Sequence, residues 1–442
     1  MMAKLRKYWS DINASYWFFP ALFAILALLL ATTTIEMDRR GLTDWVGNLN
    51  WLEPARPEGA SNMLSVIAGS MIGVASTVFS ITIAAVAYAS GNYGPRLLTN
   101  FMEDRGNQYS LATFIGTFVF AITVLRTVRA EDEAPSNIED AAATALPGFV
   151  PQLSLLVAFG LMALSVAVLV YFLNHVPSSI RINAVLEGIG RRLLMAIRQN
   201  FEAPMKERVE RDEPEGQPVL AAGSGYIQVI DWQQLLKVTR ASGAELQMAV
   251  RTGDFVHPSV PIGYWSEKPQ DNCDDDVRDC LALGEARTPT QDLHFMIDEL
   301  VEIGLRALSP GINDPFTAIS ALHWIGAATA ELGQRTLTSP VETEDDDDCP
   351  LRPLADDFKH YVTRGFGSIR SAVATSPAAA TVMFETLEGA ATTIEDPVRQ
   401  KVIRDQADQL MRQASINLAG PDLDQVEARF ALFQRRMRTH PG

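Results

Sequence analysis

The chain has 442 residues, of which 53 are acidic and 37 are basic, so its formal net charge is −16 at pH 7. An acidic chain without a basic stripe argues against nucleic acid as a partner. The three cysteines, Cys273, Cys280 and Cys349, are an odd number at irregular spacing, which excludes a disulfide framework and is typical of a reducing compartment.

Long apolar segments are concentrated in the N-terminal part of the chain. A helix of about 20 apolar residues crosses a bilayer. The sequence therefore predicts four spanning helices, over residues 16–34, 61–90, 109–125 and 150–173. The first segment is predicted to be a signal anchor and not a cleaved signal peptide, because three more spans follow it.

The short loops predict the topology. Lys4, Arg6 and Lys7 precede the first span, and a group of arginines follows the fourth. Since basic residues are enriched in cytoplasmic loops, we expect the N-terminus and the C-terminus both to be cytoplasmic. The spans contain no charged residue and no histidine, which argues against a proton-coupled pump. His175, at the end of the fourth span, is predicted to be an interfacial anchor.

The second span carries a stripe of small residues. They recur every three or four positions and so share one helical face: Ser65, Gly69, Gly73, Ser76, Ser80, Ala84 and Ala87. Such a stripe either packs closely against another helix or lines a membrane path, and the sequence leaves both interpretations open. Gly94 and Pro95 follow the span and are predicted to form a hinge.

The predicted fold class is mostly α, with a four-helix transmembrane bundle followed by a cytoplasmic α+β region made of a small β module and a helical bundle. The predicted boundaries are 1–176 for the transmembrane domain, 177–214 for a connecting helix, 215–266 for the β module and 267–442 for a helical domain with acidic loops.

Two acidic segments, residues 274–276 and 344–348, are predicted to be solvated loops, with weak binding of divalent cations as the alternative. His294, Asp298 and Glu302 lie four residues apart on a predicted helix. We interpret them as charges on an exposed helix face, with a metal site as the alternative. No metal site and no cofactor are predicted.

A dense group of turn residues separates two predicted helices near the middle of the C-terminal half. Asp314 is predicted to cap the second helix, with Pro315 at its first position. The segment is therefore predicted to be a helix–elbow–helix. Its elbow consists of Ser309, Pro310, Gly311, Asn313, Asp314 and Pro315. The alternative is that Ser309, Asn313 and Asp314 form a polar pocket for a ligand.

The segment from Arg306 to Ala318, which reads RALSPGINDPFTA, resembles the signature of a family of predicted bacterial membrane proteins of unknown function. The resemblance to this family extends to the segments 80–82, 95–98, 105–108 and 253–256. The resemblance implies a bacterial inner-membrane protein with a cytoplasmic C-terminal half, and it brings no catalytic residues.

No known catalytic motif is present, so the chain is not predicted to be an enzyme. We expect an integral inner-membrane protein that acts as an oligomeric channel or in transport, with a cytoplasmic regulatory domain. The alternative is a non-transporting scaffold or sensor that binds a ligand or protein through its cytoplasmic half. The expected partners are the lipid bilayer, further copies of the chain and an unknown cytoplasmic ligand or protein.

Overall fold

A computed structural model describes residues 15–42, 56–94, 104–129, 149–203, 216–269, 273–337, 349–354 and 357–439. The chain divides into two compact units. The membrane unit lies within Asp11–Gly91 and Arg96–Ile180, and the C-terminal unit includes Asn92–Pro95 and Arg181–Gly442. The predicted fold class is confirmed: four apolar helices are followed by a region of small sheets and helices.

The membrane unit contains four helices that are long and apolar enough to span a bilayer. They are α1 (Phe18–Arg39), α2 (Pro57–Tyr93), α3 (Arg105–Leu125) and α4 (Gln152–Ser179). Helix α2 has 37 residues, about 55 Å at 1.5 Å per residue, and is therefore much longer than a bilayer core of about 30 Å.

Helix α3 packs against both α1 and α4 in the membrane unit. Phe114, Phe120 and Phe172 are fully buried in this core. Between α3 and α4, the hydroxyl oxygens of Thr117 and Ser165 lie 3.0 Å apart and form a hydrogen bond inside the apolar core. Hydroxyl pairs of this kind fasten helices together where no water is available.

Helix α5 (Ile182–Asn200) opens the C-terminal unit with an apolar face of Leu186, Ile189, Leu193 and Ile197, all buried. The predicted connecting helix, 177–214, is longer than the observed one. Helix α5 ends because Phe201 turns to an extended conformation and Glu202 pairs with Thr336 in a β-bridge. Residues 204–215 lie outside the described part of the chain.

Two small sheets form the β part of the C-terminal unit. The strands are β1 (Gln217–Leu220), β2 (Gly225–Ile230), β3 (Leu246–Met248), β4 (Phe255–Val256), β5 (Pro261–Trp265), β6 (Leu281–Gly284) and β7 (Leu351–Arg352). One sheet has the order β1-β5-β3-β7, and the other has the order β4-β2-β6. All pairs are antiparallel except β3 with β7, which is parallel.

The β module is thus not confined to the predicted range 215–266. Strands β6 and β7 come from the region predicted as helical, and β7 joins the sheet beside β3. Leu281 and Leu351 enter the same buried core as Trp265. The sequence prediction missed both strands because each has only two to four residues, too few to show an alternating pattern.

Two short helices lie in the β part, namely α6 (Trp232–Ser242) and α7 (Asp274–Asp279). The solvated acidic loop predicted at 274–276 is wrong, because these residues form the first turn of α7. Asp274 accepts a hydrogen bond from the Trp265 indole at 3.0 Å, and Asp275 pairs with Arg278 at 2.7 Å. The acidic residues 344–348 lie outside the described residues.

The remaining helices form the predicted helical bundle. They are α8 (Leu293–Ala307), α9 (Pro315–Gly333), α10 (Phe358–Val362), α11 (Ser368–Val373), α12 (Pro377–Ala391), α13 (Pro397–Asn417) and α14 (Pro421–Thr439), with a π-helical turn at Thr363–Gly367 between α10 and α11. Side-chain caps begin most of them, because an N-cap oxygen satisfies a free N–H of the first turn. The caps are Asp292, Asp314, Asp357, Ser376 and Asp396.

Candidate functional site

The small-residue stripe of α2 faces outward. All seven of its residues, from Ser65 to Ala87, are exposed, whereas Leu64, Ile67 and Val78 on the opposite face are buried in the membrane unit. A Cβ atom built on Gly69 or Gly73 meets nothing within 4 Å. The described helices of this chain therefore do not pack against the stripe, and packing within one chain is not its role.

The outward faces of the other spans have a different chemistry. Helix α1 exposes large aliphatic side chains, among them Ile25, Leu26 and Leu29, and α4 exposes Phe159, Leu164 and Val170. Such faces suit lipid tails. On α2 the large exposed residues, such as Ile72, Phe79 and Ile81, mostly flank the stripe, which itself is made of glycine, alanine and serine.

The hydroxyl groups on this side of α2 donate to their own helix. Ser80 donates to the carbonyl oxygen of Ser76 at 2.9 Å, and Thr77 donates to that of Gly73 at 3.0 Å. Each hydroxyl oxygen keeps lone pairs that can accept a hydrogen bond from outside the helix. The stripe can therefore meet either a close helix or water and polar solutes.

Polar contacts fasten α3 to α4 at one end of the membrane unit. Asp104 caps α3 by accepting the Gly106 N–H at 2.8 Å, and its carboxylate lies 2.8 Å from Nε2 of His175. The other ring nitrogen of His175 lies 3.2 Å from the Tyr171 hydroxyl. A Cβ on Gly106 would lie 2.6 Å from His175 Nε2, so the contact requires glycine. His175 is thus a helix-fastening residue, and its role as an interfacial anchor stays a prediction.

A second polar contact lies where α1 ends and α4 begins. The carboxylate of Asp38, near the end of α1, accepts the backbone N–H groups of Leu153 and Ser154, each at 3.0 Å. It also accepts the Ser154 hydroxyl at 2.9 Å. One span therefore supplies the N-terminal cap of another, a role that local sequence patterns do not reveal.

The predicted hinge begins at a constrained residue. Gly94 follows the last residue of α2, belongs to the C-terminal unit, is buried and has a φ of +126°, which L side chains rarely adopt. A Cβ on Gly94 would lie 2.6 Å from Oε1 of Glu302. Gly94 therefore packs closely against α8. Pro95, the second hinge residue, lies outside the described residues.

The predicted elbow between α8 and α9 uses its polar groups internally. Asp314 accepts the Thr317 N–H at 3.1 Å and its hydroxyl at 2.6 Å, while Pro315 begins α9. Ser309 donates to the Arg306 carbonyl at 2.6 Å. Asn313 has a φ of +49°, the one positive value among the described non-glycine residues. These contacts favour the structural interpretation of the elbow over a polar ligand pocket.

Charged side chains form a network inside the C-terminal unit. Asp298 accepts two hydrogen bonds from Arg364, both at 2.7 Å, and one from Arg287 at 2.5 Å. Arg287 also binds Asp292 at 2.6 and 2.9 Å. The predicted exposed row of His294, Asp298 and Glu302 is therefore wrong for its first two members, because both face the interior.

Burial and ion pairing act in opposite directions on the two acids. Burial raises the pKa of Asp298, but hydrogen bonds from Arg364 and the charges of Arg364 and Arg287 outweigh it, so the pKa lies below its ordinary value. For Asp292 burial outweighs Arg287 and raises the pKa. Three arginine–carboxylate contacts of this kind hold their segments in a defined geometry, since breaking one leaves a buried charge without its partner.

His294 lies beside this network, and 5% of its surface is exposed. Its ring stacks on Tyr361 with centroids 4.9 Å apart and makes an edge contact with His360 at 4.8 Å. Burial, reinforced by the charge of Arg364, lowers the pKa of His294 to about 2. A neutral histidine held among arginines has no free charge to offer to a ligand.

The network also involves the β part. Gly253 has a φ of +91°, and a Cβ there would lie 2.1 Å from Oδ2 of Asp292. Its neighbour Thr252 donates to the Gln291 carbonyl at 2.8 Å. Within the described residues, no group of three or more His, Cys, Asp and Glu side chains is arranged to hold a metal ion. The network is thus a rigid joint between the sheets and the helical bundle.

Comparison with known proteins agrees with this architecture. Residues 13–389 match a family described as predicted membrane protein, DUF2254. The chain belongs to this family. Uncharacterised proteins of Mycobacterium bovis and Mycobacterium tuberculosis are 29% identical to it over 374 residues, which cover 82% of this chain and 70% of each relative. No solved structure matches this DUF2254 protein.

Proposed function

We propose that this DUF2254 protein assembles from several copies in the bacterial inner membrane, with the α2 stripes facing one another. In this assembly the stripes line a narrow path, and the protein serves as a channel or in transport, with its termini in the cytoplasm and the C-terminal unit as the regulatory domain. The observation that carries the proposal is the outward, small and hydroxyl-rich face of α2.

Three further points support it. A lipid-facing surface has no need of glycine and serine, and α1 and α4 show the aliphatic alternative within the same chain. Small residues let helix backbones approach closely, as in the spacing of Gly69 and Gly73. Hydroxyl oxygens along the same face offer acceptors to a hydrated solute.

The mass of the full-length protein in nanodiscs tests the assembly. A closed ring of three or more copies is expected, and a monomer or dimer would contradict a central path. Gly73→Leu on the stripe is expected to dissociate the ring or abolish solute flux into liposomes. Gly160→Leu is the matched control, because Gly160 is also exposed in a span, on α4, with no atom within 4 Å of a built Cβ. Equal effects of both substitutions would refute a special role of the stripe.

The second candidate is a non-transporting scaffold or sensor that binds through the C-terminal unit. Strand β4 lies at the edge of its sheet, and the Phe255 ring on this edge is exposed. An exposed strand edge with an aromatic side chain is a surface on which a peptide can add a strand. Absence of flux from liposomes that contain an intact oligomer would favour this candidate.

A further inference from the structure

Arg370, on α11, is a partly buried arginine whose guanidinium binds neutral groups. Its Nε donates to Oε1 of Gln413 at 2.9 Å, and its Nη1 donates to Oε1 of Gln406 at 2.7 Å. Both glutamines belong to α13, and Gln406 is buried. Within the part of the chain that the structure describes, Arg370 makes no ion pair. Its charge is therefore partly removed from water without a carboxylate to compensate it.

Other partly buried arginines of the same unit have a carboxylate partner. Arg364 lies 2.7 Å from Asp298, and Arg429 lies 2.7 Å from Glu388. Acidic residues are also abundant, since the chain has 53 of them against 37 basic ones. The two amides at Arg370 are thus not the result of a shortage of acids.

A second arginine acts on Arg370 through its charge. Arg412 is exposed on α13, directly before Gln413, and its Nε donates to the backbone carbonyl of Asp408 at 3.4 Å. Burial and the positive charge of Arg412 both lower the pKa of Arg370 below its ordinary value. The two guanidinium groups repel each other, and an anion that binds both of them removes this repulsion.

The surroundings of Arg370 hold more hydrogen-bond donors than acceptors. Because arginine has no acceptor, Gln406 and Gln413 turn their amide oxygens toward it and their NH₂ groups elsewhere. Among the described residues, these NH₂ groups and Nη2 of Arg370 donate to no protein group. Donors of this kind bind oxyanions, and the planar fork of a guanidinium fits two oxygens of a phosphate.

We propose that Arg370 and Arg412 bind a phosphate group, with the NH₂ groups of Gln406 and Gln413 as further donors. A phosphate is favoured over a carboxylate, because its charge of about −2 at neutral pH matches two arginines. A π-helical turn ends directly before α11, and such turns are frequent at functional sites. The inference does not depend on assembly or transport, because the four residues all belong to the C-terminal unit.

Isothermal titration calorimetry of the full-length protein in detergent tests the proposal, with inorganic phosphate as the probe and the ionic strength held constant with sodium chloride. Arg412→Gln is expected to weaken phosphate binding about tenfold or more, as the loss of a hydrogen bond between charged groups does. Arg370→Gln is expected to abolish binding. Arg404→Gln is the matched control, because Arg404 is on the same helix but two residues from Gln406 and so on another face.

Thermal unfolding without phosphate shows whether each variant is folded. Arg412→Gln carries the test if Arg370→Gln does not fold, because Arg412 is exposed. A wild-type protein that does not bind phosphate would overturn the proposal. Equal weakening by Arg404→Gln and Arg412→Gln would overturn it too, because binding would then follow net charge alone.

A titration with ATP distinguishes two sources of the phosphate group. Tighter binding of ATP than of inorganic phosphate, weakened by Arg412→Gln, would support the proposal with the phosphate as part of a larger ligand. Binding of inorganic phosphate without binding of ATP would support it with the free ion as the ligand.

Discussion

His294 makes the stability of the C-terminal unit depend on pH in a direction that the structure determines. Its pKa is about 2 in the folded protein, against 6.5 for the ordinary side chain. The unfolded chain therefore binds a proton below pH 6.5 that the folded chain does not bind. Stability attributable to His294 is present in full above that pH and is lost as the pH falls.

The size of the effect follows from the shift. Each pH unit below 6.5 changes the free energy of unfolding by about 1.4 kcal/mol, so the loss at about pH 5 is about 2 kcal/mol. Only 5% of the surface of His294 is exposed, so solvent screens the charge of its ring very little. The raised pKa of Asp292 has the opposite effect on the free energy of unfolding at lower pH, because the folded protein then binds a proton more readily than the unfolded chain does.

The assay compares denaturant unfolding of the full-length protein in detergent with that of His294→Leu at several pH values. The variant is less stable at every pH because it loses the ring contacts, but its free energy of unfolding is expected to fall less on acidification. Asp292 and all other titratable groups are present in both proteins, so their contributions cancel when one pH slope is subtracted from the other. His323→Gln, at an exposed position on α9, should keep the wild-type slope. Identical slopes for wild type and His294→Leu would refute the claim that burial keeps this histidine neutral.

Two further predictions concern single contacts. Gly253→Ala should destabilise the protein by at least about 2 kcal/mol, because a side chain at a φ of +91° is strained and its Cβ would meet Asp292. Gly389→Ala is the control, because a Cβ at Gly389 meets nothing within 4 Å, and it should not destabilise the protein. Arg399→Met should cost about 3 kcal/mol, since Arg399 donates to three carbonyl groups at the end of α9 at 2.8 to 3.1 Å. Thermal unfolding of the purified variants measures both, and a loss below about 1 kcal/mol would contradict either argument.

The sequence predicts features that local chemistry determines. Apolar length identified the four spans, because a bilayer imposes a minimum on each. Asp314 with Pro315 identified the start of α9, since an N-cap and a first-turn proline act within one helical turn.

Features that depend on distant partners were not predictable. Asp298 looked like an exposed charge, because its partner Arg364 is 66 residues away and sits in a π-helical turn that no spacing rule reveals. The seven-residue stripe of α2 was recognisable from its spacing, but its direction was not, because spacing does not say which face the neighbouring helices cover. The contact between His175 and Asp104 was not predictable either, because 71 residues separate them in the sequence.

Strand β7 has a consequence for how the chain matures on the ribosome. It pairs with β3, where Leu246 lies opposite Leu351 and Gln247 opposite Arg352. The edge of that sheet stays open until residue 352 has been synthesised, long after the four spans and the two helices joined by the elbow have emerged. During that interval the edge of β3 is unpaired and available to wrong partners. A fragment that stops before residue 351 would carry this defect permanently.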